Sequence, residues 1–240
     1  MNSDHYFRTE GFTLVEMAIV LAIMALILGT GLTLLSAQQD QRRIEDTKAR
    51  LDIAQEALIG YAISHNNLPC PADPTIPGGT ANAGIARDPT TTGCTGGATA
   101  LQGDFPWATL GLPETDAWGH RFTYRVSAIF ARSTPLFTLS DDGNIDIGTS
   151  AGSNDLANNM PAVIVSHGIN GLGAYTPAGK QITPVPVAAT NEGENADNDG
   201  NFVSRTLSSA DEAGGYFDDQ VIWISRYTLF NRMVLAGNLP

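Results

Sequence analysis

Residues 12–35 form a run of 24 positions containing a single ionisable side chain, Glu16. At about 1.5 Å per residue, a helix of that run is about 36 Å long, enough to cross a hydrocarbon core of about 30 Å. The run therefore predicts a membrane span. A secretory signal peptide would have a shorter apolar stretch, a basic lead-in and a small-residue cleavage site after it. Here the lead-in is polar with Arg8 as its one fixed cation, and Ser36-Ala37-Gln38-Gln39-Asp40 follows, with no Ala-x-Ala. The unusual junction lies before the run, at Gly11-Phe12-Thr13-Leu14-Val15-Glu16.

Those six residues, with the span behind them, resemble the N-terminal signature of bacterial type IV pilins and type II secretion pseudopilins. The resemblance implies that a prepilin peptidase cuts after Gly11, that the new N-terminal Phe12 is N-methylated, and that Glu16 serves subunit assembly by pairing with the Phe12 ammonium of a neighbouring subunit. On physical grounds alone, a carboxylate inside a span costs about 2.5–3.5 kcal/mol on insertion scales and calls for a partner. The other reading of Glu16 is an interfacial carboxylate reaching for headgroups. The implied organisation is a leader over residues 1–11, a transmembrane and filament-core helix over 12–35, an amphipathic second half of the same helix over 36–65, and a globular β-rich head over 66–240.

The cation count votes for the opposite orientation. Arg42, Arg43, Lys48 and Arg50 follow the span while Arg8 precedes it, so the positive-inside rule places the head in the cytoplasm. The resemblance and the cysteines outweigh that vote. Cys70 and Cys94 are the only two cysteines, and an even pair on a chain anchored by one span points to an oxidising compartment and a disulfide pinning the loop 70–94. The alternative is two unrelated thiols. The expected location is the cytoplasmic membrane, single-pass, with the head in the periplasm or outside, and then a pilus or pseudopilus.

Past the span, Ile44, Thr47, Leu51, Ala54, Leu58 and Tyr61 recur at spacings of three and four, which places them on one helix face. Glu45/Lys48 and Asp46/Arg50 sit at helical pairing distances on the solvent side. One continuous helix from residue 12 to about 65 is the simplest account, ended by Pro69 and Pro71, with Gly29 and Gly31 as a stretch that either packs closely or unwinds. Residues 72–103 read as a long loop. Beyond it, residues 121–130, 136–140, 162–166 and 221–225 read as strands and residues 229–236 as a short final helix. The fold class is α+β, a long N-terminal helix packed on an antiparallel sheet head, pilin-like. Asp116-Ala117-Trp118-Gly119, followed by Phe122 and Tyr124, resembles the Asp-Pro-Trp-Gly stretch that opens the sheet of major pseudopilins, with Ala117 where Pro is usual.

Two acidic loops remain, 141–146 and 192–201. In the second, Asn195, Asp197 and Asp199 alternate before Gly200 like the opening of a calcium loop, but Thr206 stands where an EF-hand needs a bidentate Glu. The expectation is a shallow calcium site on these three residues or solvated acidic turns; no cofactor is otherwise required. Ser166-His167-Gly168 and scattered Asp residues suggest a triad on paper, yet no nucleophile elbow, metal-ligand cluster or phosphate loop is present. His65, His120 and His167 are too few and scattered for a zinc site, and His167 reads as a strand-end residue. The net charge of -12 repels nucleic acid. The sequence thus predicts a structural subunit and no enzyme, its partners being prepilin peptidase, other pilin subunits and the membrane. The competing class is an unprocessed, single-span, membrane-anchored binding domain.

Overall fold

The computed structural model describes residues 11–212 and 214–239, the side chains of residues 27–36 excepted. The leader expected over residues 1–11 lies outside the described residues except for Gly11, and so do the side chains around Gly29 and Gly31. The chain divides into two compact units at Arg43/Ile44.

The helix α1 spans Leu14–His65, matching the single helix expected from the sequence. Among the described residues no helix is long and apolar enough to cross a membrane; side chains that complete the apolar run are among those not described. Within the second unit, Thr47, Leu51, Ala54 and Leu58 are buried as their spacing requires, joined by Ile59 and Ala62. Asp46 and Arg50 form the expected pair at 2.8 Å.

The head contains, in order, a hairpin of β1 (Pro89–Thr90) and β2 (Gly93–Cys94), then β3 (Gln102–Asp104), α2 (Trp107–Leu110), β4 (Thr123–Val126) and α3 (Ala128–Ala131). It continues with β5 (Ile145–Gly148), β6 (Ala157–Met160), β7 (Ala162–Ser166), α4 (Asn191–Ala196), β8 (Asn201–Val203), β9 (Gln220–Ile224) and α5 (Arg226–Leu235). One sheet has the order β3-β4-β7-β9, every neighbour antiparallel. A second has the order β6-β5-β8, in which β5 and β8 run parallel.

The central strand explains the layering. All five residues of β7, Ala-Val-Ile-Val-Ser, are buried, because both faces of the strand are covered and an alternating pattern would waste one of them. Ala162 and Ile164 join the core beneath the second half of α1, with Tyr124, Val126, Leu58 and Phe130. Val163 and Val165 point the other way, onto Ile145, Ile147, Met160 and Phe202. Strand β9 obeys the same period of two: Ile222 and Ile224 face the first core, Val221 and Trp223 the second. Gln55 on α1 donates to the Trp223 carbonyl at 2.7 Å, tying helix to sheet.

Three sequence expectations need correction. Residues 136–140 are not a strand: Phe137 is buried and packs on Phe130 at 4.9 Å and Phe230 at 6.1 Å, while the Asp141 carboxylate accepts from the Thr138 N–H and turns the chain. The strand expected over 121–130 ends at Val126, and Phe130 reaches the core from α3 instead. The head is not one antiparallel sheet, because β8 adds in parallel to a second sheet. Within the expected loop 72–103 lie the β1–β2 hairpin and a 3₁₀ turn, Ala98–Leu101. The disulfide Cys70–Cys94 is formed, with Cα atoms 5.7 Å apart, and both cysteines sit in the first core.

Candidate functional site

The junction Gly11–Glu16 opens α1. Thr13 sits one residue before the helix: its carbonyl accepts from the Met17 N–H at 3.2 Å, and its hydroxyl accepts from the Glu16 N–H at 3.2 Å. In return the Glu16 carboxylate accepts from the Thr13 N–H and hydroxyl, both at 2.9 Å. This is a reciprocal capping box, which satisfies two of the amide donors that a helix start leaves orphaned. It holds the Glu16 carboxylate against Thr13, the residue that follows Phe12. Phe12 is 84% exposed, and nothing lies within 4 Å of a Cβ added at Gly11. Among the described residues, nothing covers the peptide bond between them.

In the head, the turn that resembles the pseudopilin stretch is organised by the buried Asp116. One carboxylate oxygen accepts from the Trp118 and His120 N–H groups, each at 2.9 Å, and the other from the Ser166 hydroxyl at 2.7 Å. Gly119 takes φ 88°, a left-handed conformation open to glycine. The Ala117 N–H donates to the buried Thr47 hydroxyl on α1 at 3.2 Å, a bond that proline at this position could not make. Next to it, Arg121 is fully buried. It pairs with Asp104 at 3.1 Å and Glu114 at 2.7 Å, donates to the carbonyls of Pro74 and Pro177, and lies 4.6 Å above the Trp107 ring.

Of the three calcium candidates, Asp197 and Asp199 interact with each other while Asn195 is engaged elsewhere. The amide of Asn195 donates to the Val203 carbonyl and the Asp219 carboxylate, and its oxygen accepts from the Val203 N–H at 2.8 Å, so it is spent on structure. Asp199 accepts twice from Asn201. Burial, followed by the Asp199 charge, pushes the Asp197 carboxyl up to about 6.

A different acidic group converges instead. One carboxylate oxygen from each of Glu192, Asp218 and Asp219 can be chosen so that all lie within 4.8 Å of one another. Glu192 stands in the first turn of α4, held there by the Thr190 hydroxyl accepting from the Gly193 N–H at 3.0 Å. Asp218 and Asp219 immediately precede β9. Burial drives the Glu192 carboxyl up to about 7, with Asp218 adding to the rise, and drives Asp219 well above the ordinary carboxylate range. His167, one residue past β7, is fully buried with its Nδ1 3.9 Å from an Asp219 oxygen. Burial pulls its pKa down to about 4, so the ring is neutral. Gly168 (φ 58°) permits this approach, since a Cβ there would collide with the Asp218 carbonyl. Glu192 and the apolar run after Asp219 were visible in the sequence; their meeting is a product of topology.

Residues 7–32 match the family profile of the prokaryotic N-terminal methylation motif, the signature of type IV pilins and pseudopilins. No curated protein and no solved structure matches the chain.

Proposed function

We propose that this chain is a prepilin-like structural subunit, cleaved after Gly11, methylated at Phe12 and polymerised through its apolar N-terminal helix into a type IV pilus or type II secretion pseudopilus. The methylation motif over residues 7–32 carries the reading, and the exposed Gly11–Phe12 bond ahead of a capped helix supports it. The cytoplasmic membrane receives the apolar run before assembly. In the filament core, Glu16 and a neighbour's Phe12 ammonium neutralise each other and leave water as a pair, because an isolated charge in that environment is costly. The head, stapled by Cys70–Cys94, faces the periplasm or the exterior.

The test is the mature N-terminus. Loss of 11 of the 240 residues leaves 229 beginning at Phe12, with one added methyl, by intact-mass spectrometry of protein from a host with an active prepilin peptidase. Recovery of the chain with Met1 in place would establish the unprocessed, membrane-anchored alternative.

A further inference from the structure

We propose that Glu192, Asp218, Asp219 and His167 bind one divalent cation of the kind that accepts imidazole nitrogen together with carboxylate oxygen, such as Zn²⁺ or Mn²⁺. This inference stands apart from processing and assembly, and it takes none of Asn195, Asp197 and Asp199 as a ligand.

The oxygens that converge come from Glu192 on α4 and from the two aspartates before β9, and the end of β7 brings His167 against one of them, Asp219. Close carboxylates repel one another, and a buried group of them needs a compensating positive charge. The imidazole shows where that charge belongs. His167 Nε2 lies 2.9 Å from the Thr123 hydroxyl, whereas Nδ1 is buried without a hydrogen-bond partner. The facing Asp219 Oδ1 is likewise buried and unpartnered, 3.9 Å away.

Neither tautomer resolves this. With the proton on Nε2, the Nδ1 lone pair faces Asp219 Oδ1, and at 3.9 Å even a protonated Asp219 makes no hydrogen bond to it. With the proton on Nδ1, the 3.9 Å separation is too long for a hydrogen bond. Two donors each about 2.1 Å from one ion can stand up to roughly 4.2 Å apart, so a cation between them satisfies both.

The surrounding hydrogen bonds point the same way. Asp218 Oδ2 accepts from the Asn170 N–H at 2.9 Å and the Tyr216 hydroxyl at 3.1 Å, and Asp219 Oδ2 accepts from Asn195 at 2.8 Å. In each aspartate the other oxygen, Oδ1, is buried and unpartnered. The Asn170 amide also donates to Glu192, at 3.1 and 3.2 Å. Outer partners that fix one oxygen and leave its twin free are how ligating carboxylates are oriented. The imidazole decides the class of ion, because calcium takes oxygen donors while imidazole suits zinc and its neighbours.

The experiment uses the full, untagged chain in detergent, stripped with chelator and dialysed separately against Zn²⁺, Mn²⁺, Ca²⁺ and Mg²⁺. Expected are one equivalent of Zn²⁺ or Mn²⁺ per chain and a melting temperature higher by roughly 5–10 °C at a hundredfold excess over Kd. Asp219→Asn and Glu192→Gln should each weaken binding by about 10–100-fold. Pulsed electron paramagnetic resonance of the Mn²⁺-loaded, unsubstituted chain should show coupling to one imidazole nitrogen, a readout that needs no variant to fold. Absence of binding by every ion, leaving a bridging water or shared protons, would overturn the proposal. So would Zn²⁺ or Mn²⁺ binding undisturbed by both substitutions, or preferential Ca²⁺ binding without nitrogen coupling.

Discussion

Leu14 and Leu58 stand on the same helix and meet opposite fates: Leu14 is 87% exposed and Leu58 not at all. Phe12, Val15, Met17, Ile19 and Leu21 share the condition of Leu14, while Leu51, Ala54, Ile59 and Ala62 share that of Leu58. The head provides its own apolar cover, from the Phe130–Phe137–Phe230 cluster and the strands β4, β7 and β9. In the first unit, Phe12, Leu14, Val15 and Leu21 remain more than 60% exposed among the described residues. Under the proposed function, lipid and then neighbouring helices supply their cover. If so, substitutions in the first unit should alter processing and assembly while leaving the head's melting unchanged, and substitutions in the head should do the reverse.

The largest separation is expected at Glu16. Glu16→Ala removes both the charge and the capping box, whereas Glu16→Gln keeps an acceptor for the Thr13 N–H and removes only the charge. Both variants should be cleaved and inserted, and both should fail to enter filaments. Sedimentation of sheared filaments measures this. Filaments from Glu16→Gln alone would assign the residue to helix capping and break the charge-pairing part of the reading.

Next comes Arg121→Leu, in the head. It leaves Asp104 and Glu114 facing an apolar side chain, and breaking a buried pair from one side costs about 3–5 kcal/mol, or roughly 10 °C in a domain of this size. Burial already lifts the Asp104 carboxyl to about 7 against the pull of Arg121. Losing the guanidinium lifts it further. A carboxyl whose folded pKa is raised loses stability as pH rises through that value, so the deficit should be larger at about pH 8.5 than at about pH 6. Cleavage after Gly11 should be unaffected. Thermal melting at the two pH values, with intact mass, tests all three statements.

Reduction or Cys70→Ser/Cys94→Ser opens a loop of sequence separation 24, for which the chain-entropy treatment gives about 3–4 kcal/mol. Melting should fall by a little less than for Arg121→Leu, again without a processing defect. Equal melting of the oxidised and reduced chain would show that the two cores hold this loop unaided.

What was legible in the sequence follows from range. The helical face Thr47–Leu51–Ala54–Leu58 and the run Ala162–Ser166 are local patterns, set by periods of 3.6 and 2 against a neighbouring core. The junction Gly11–Glu16 is a contiguous motif. By contrast, Phe137 looks like a strand residue to any local rule and becomes an aromatic plug only because Phe130 and Phe230 arrive from elsewhere. The parallel addition of β8 to β5 is fixed by the long crossover from Gly148 to Asn201, which no pattern within β8 announces. Asn195, Asp197 and Asp199 offered ligand-like spacing along the chain, but α4 turns Asn195 inward to cap β8 and brings Glu192 toward Asp218 and Asp219. His167 was read as a strand end, and it is one; its ring faces an acidic group 52 residues further on at Asp219.

The smallest expected effect sharpens the comparison most, because it lies where the second half of α1 meets the head. Ala117 stands where proline is usual in the pseudopilin stretch it resembles. Its N–H reaches the Thr47 hydroxyl, which is fully buried and would otherwise be left without that donor. Ala117→Pro removes the donor and also restrains the residue before it, Asp116, whose carboxylate organises the turn. A lost hydrogen bond to a buried hydroxyl costs about 1–3 kcal/mol, and a prestiffened turn returns about 0.4–1 kcal/mol of that if the backbone conformation suits it. The net expectation is a loss of about 1 kcal/mol, or roughly 2–4 °C. Thr47→Val separates the two contributions: it removes the acceptor while keeping the shape, so with valine in place the further substitution Ala117→Pro should be neutral or stabilising. A double-mutant cycle from thermal melts reads the coupling directly, and a coupling near zero would mean that the Ala117–Thr47 bond does not help to hold the turn on α1.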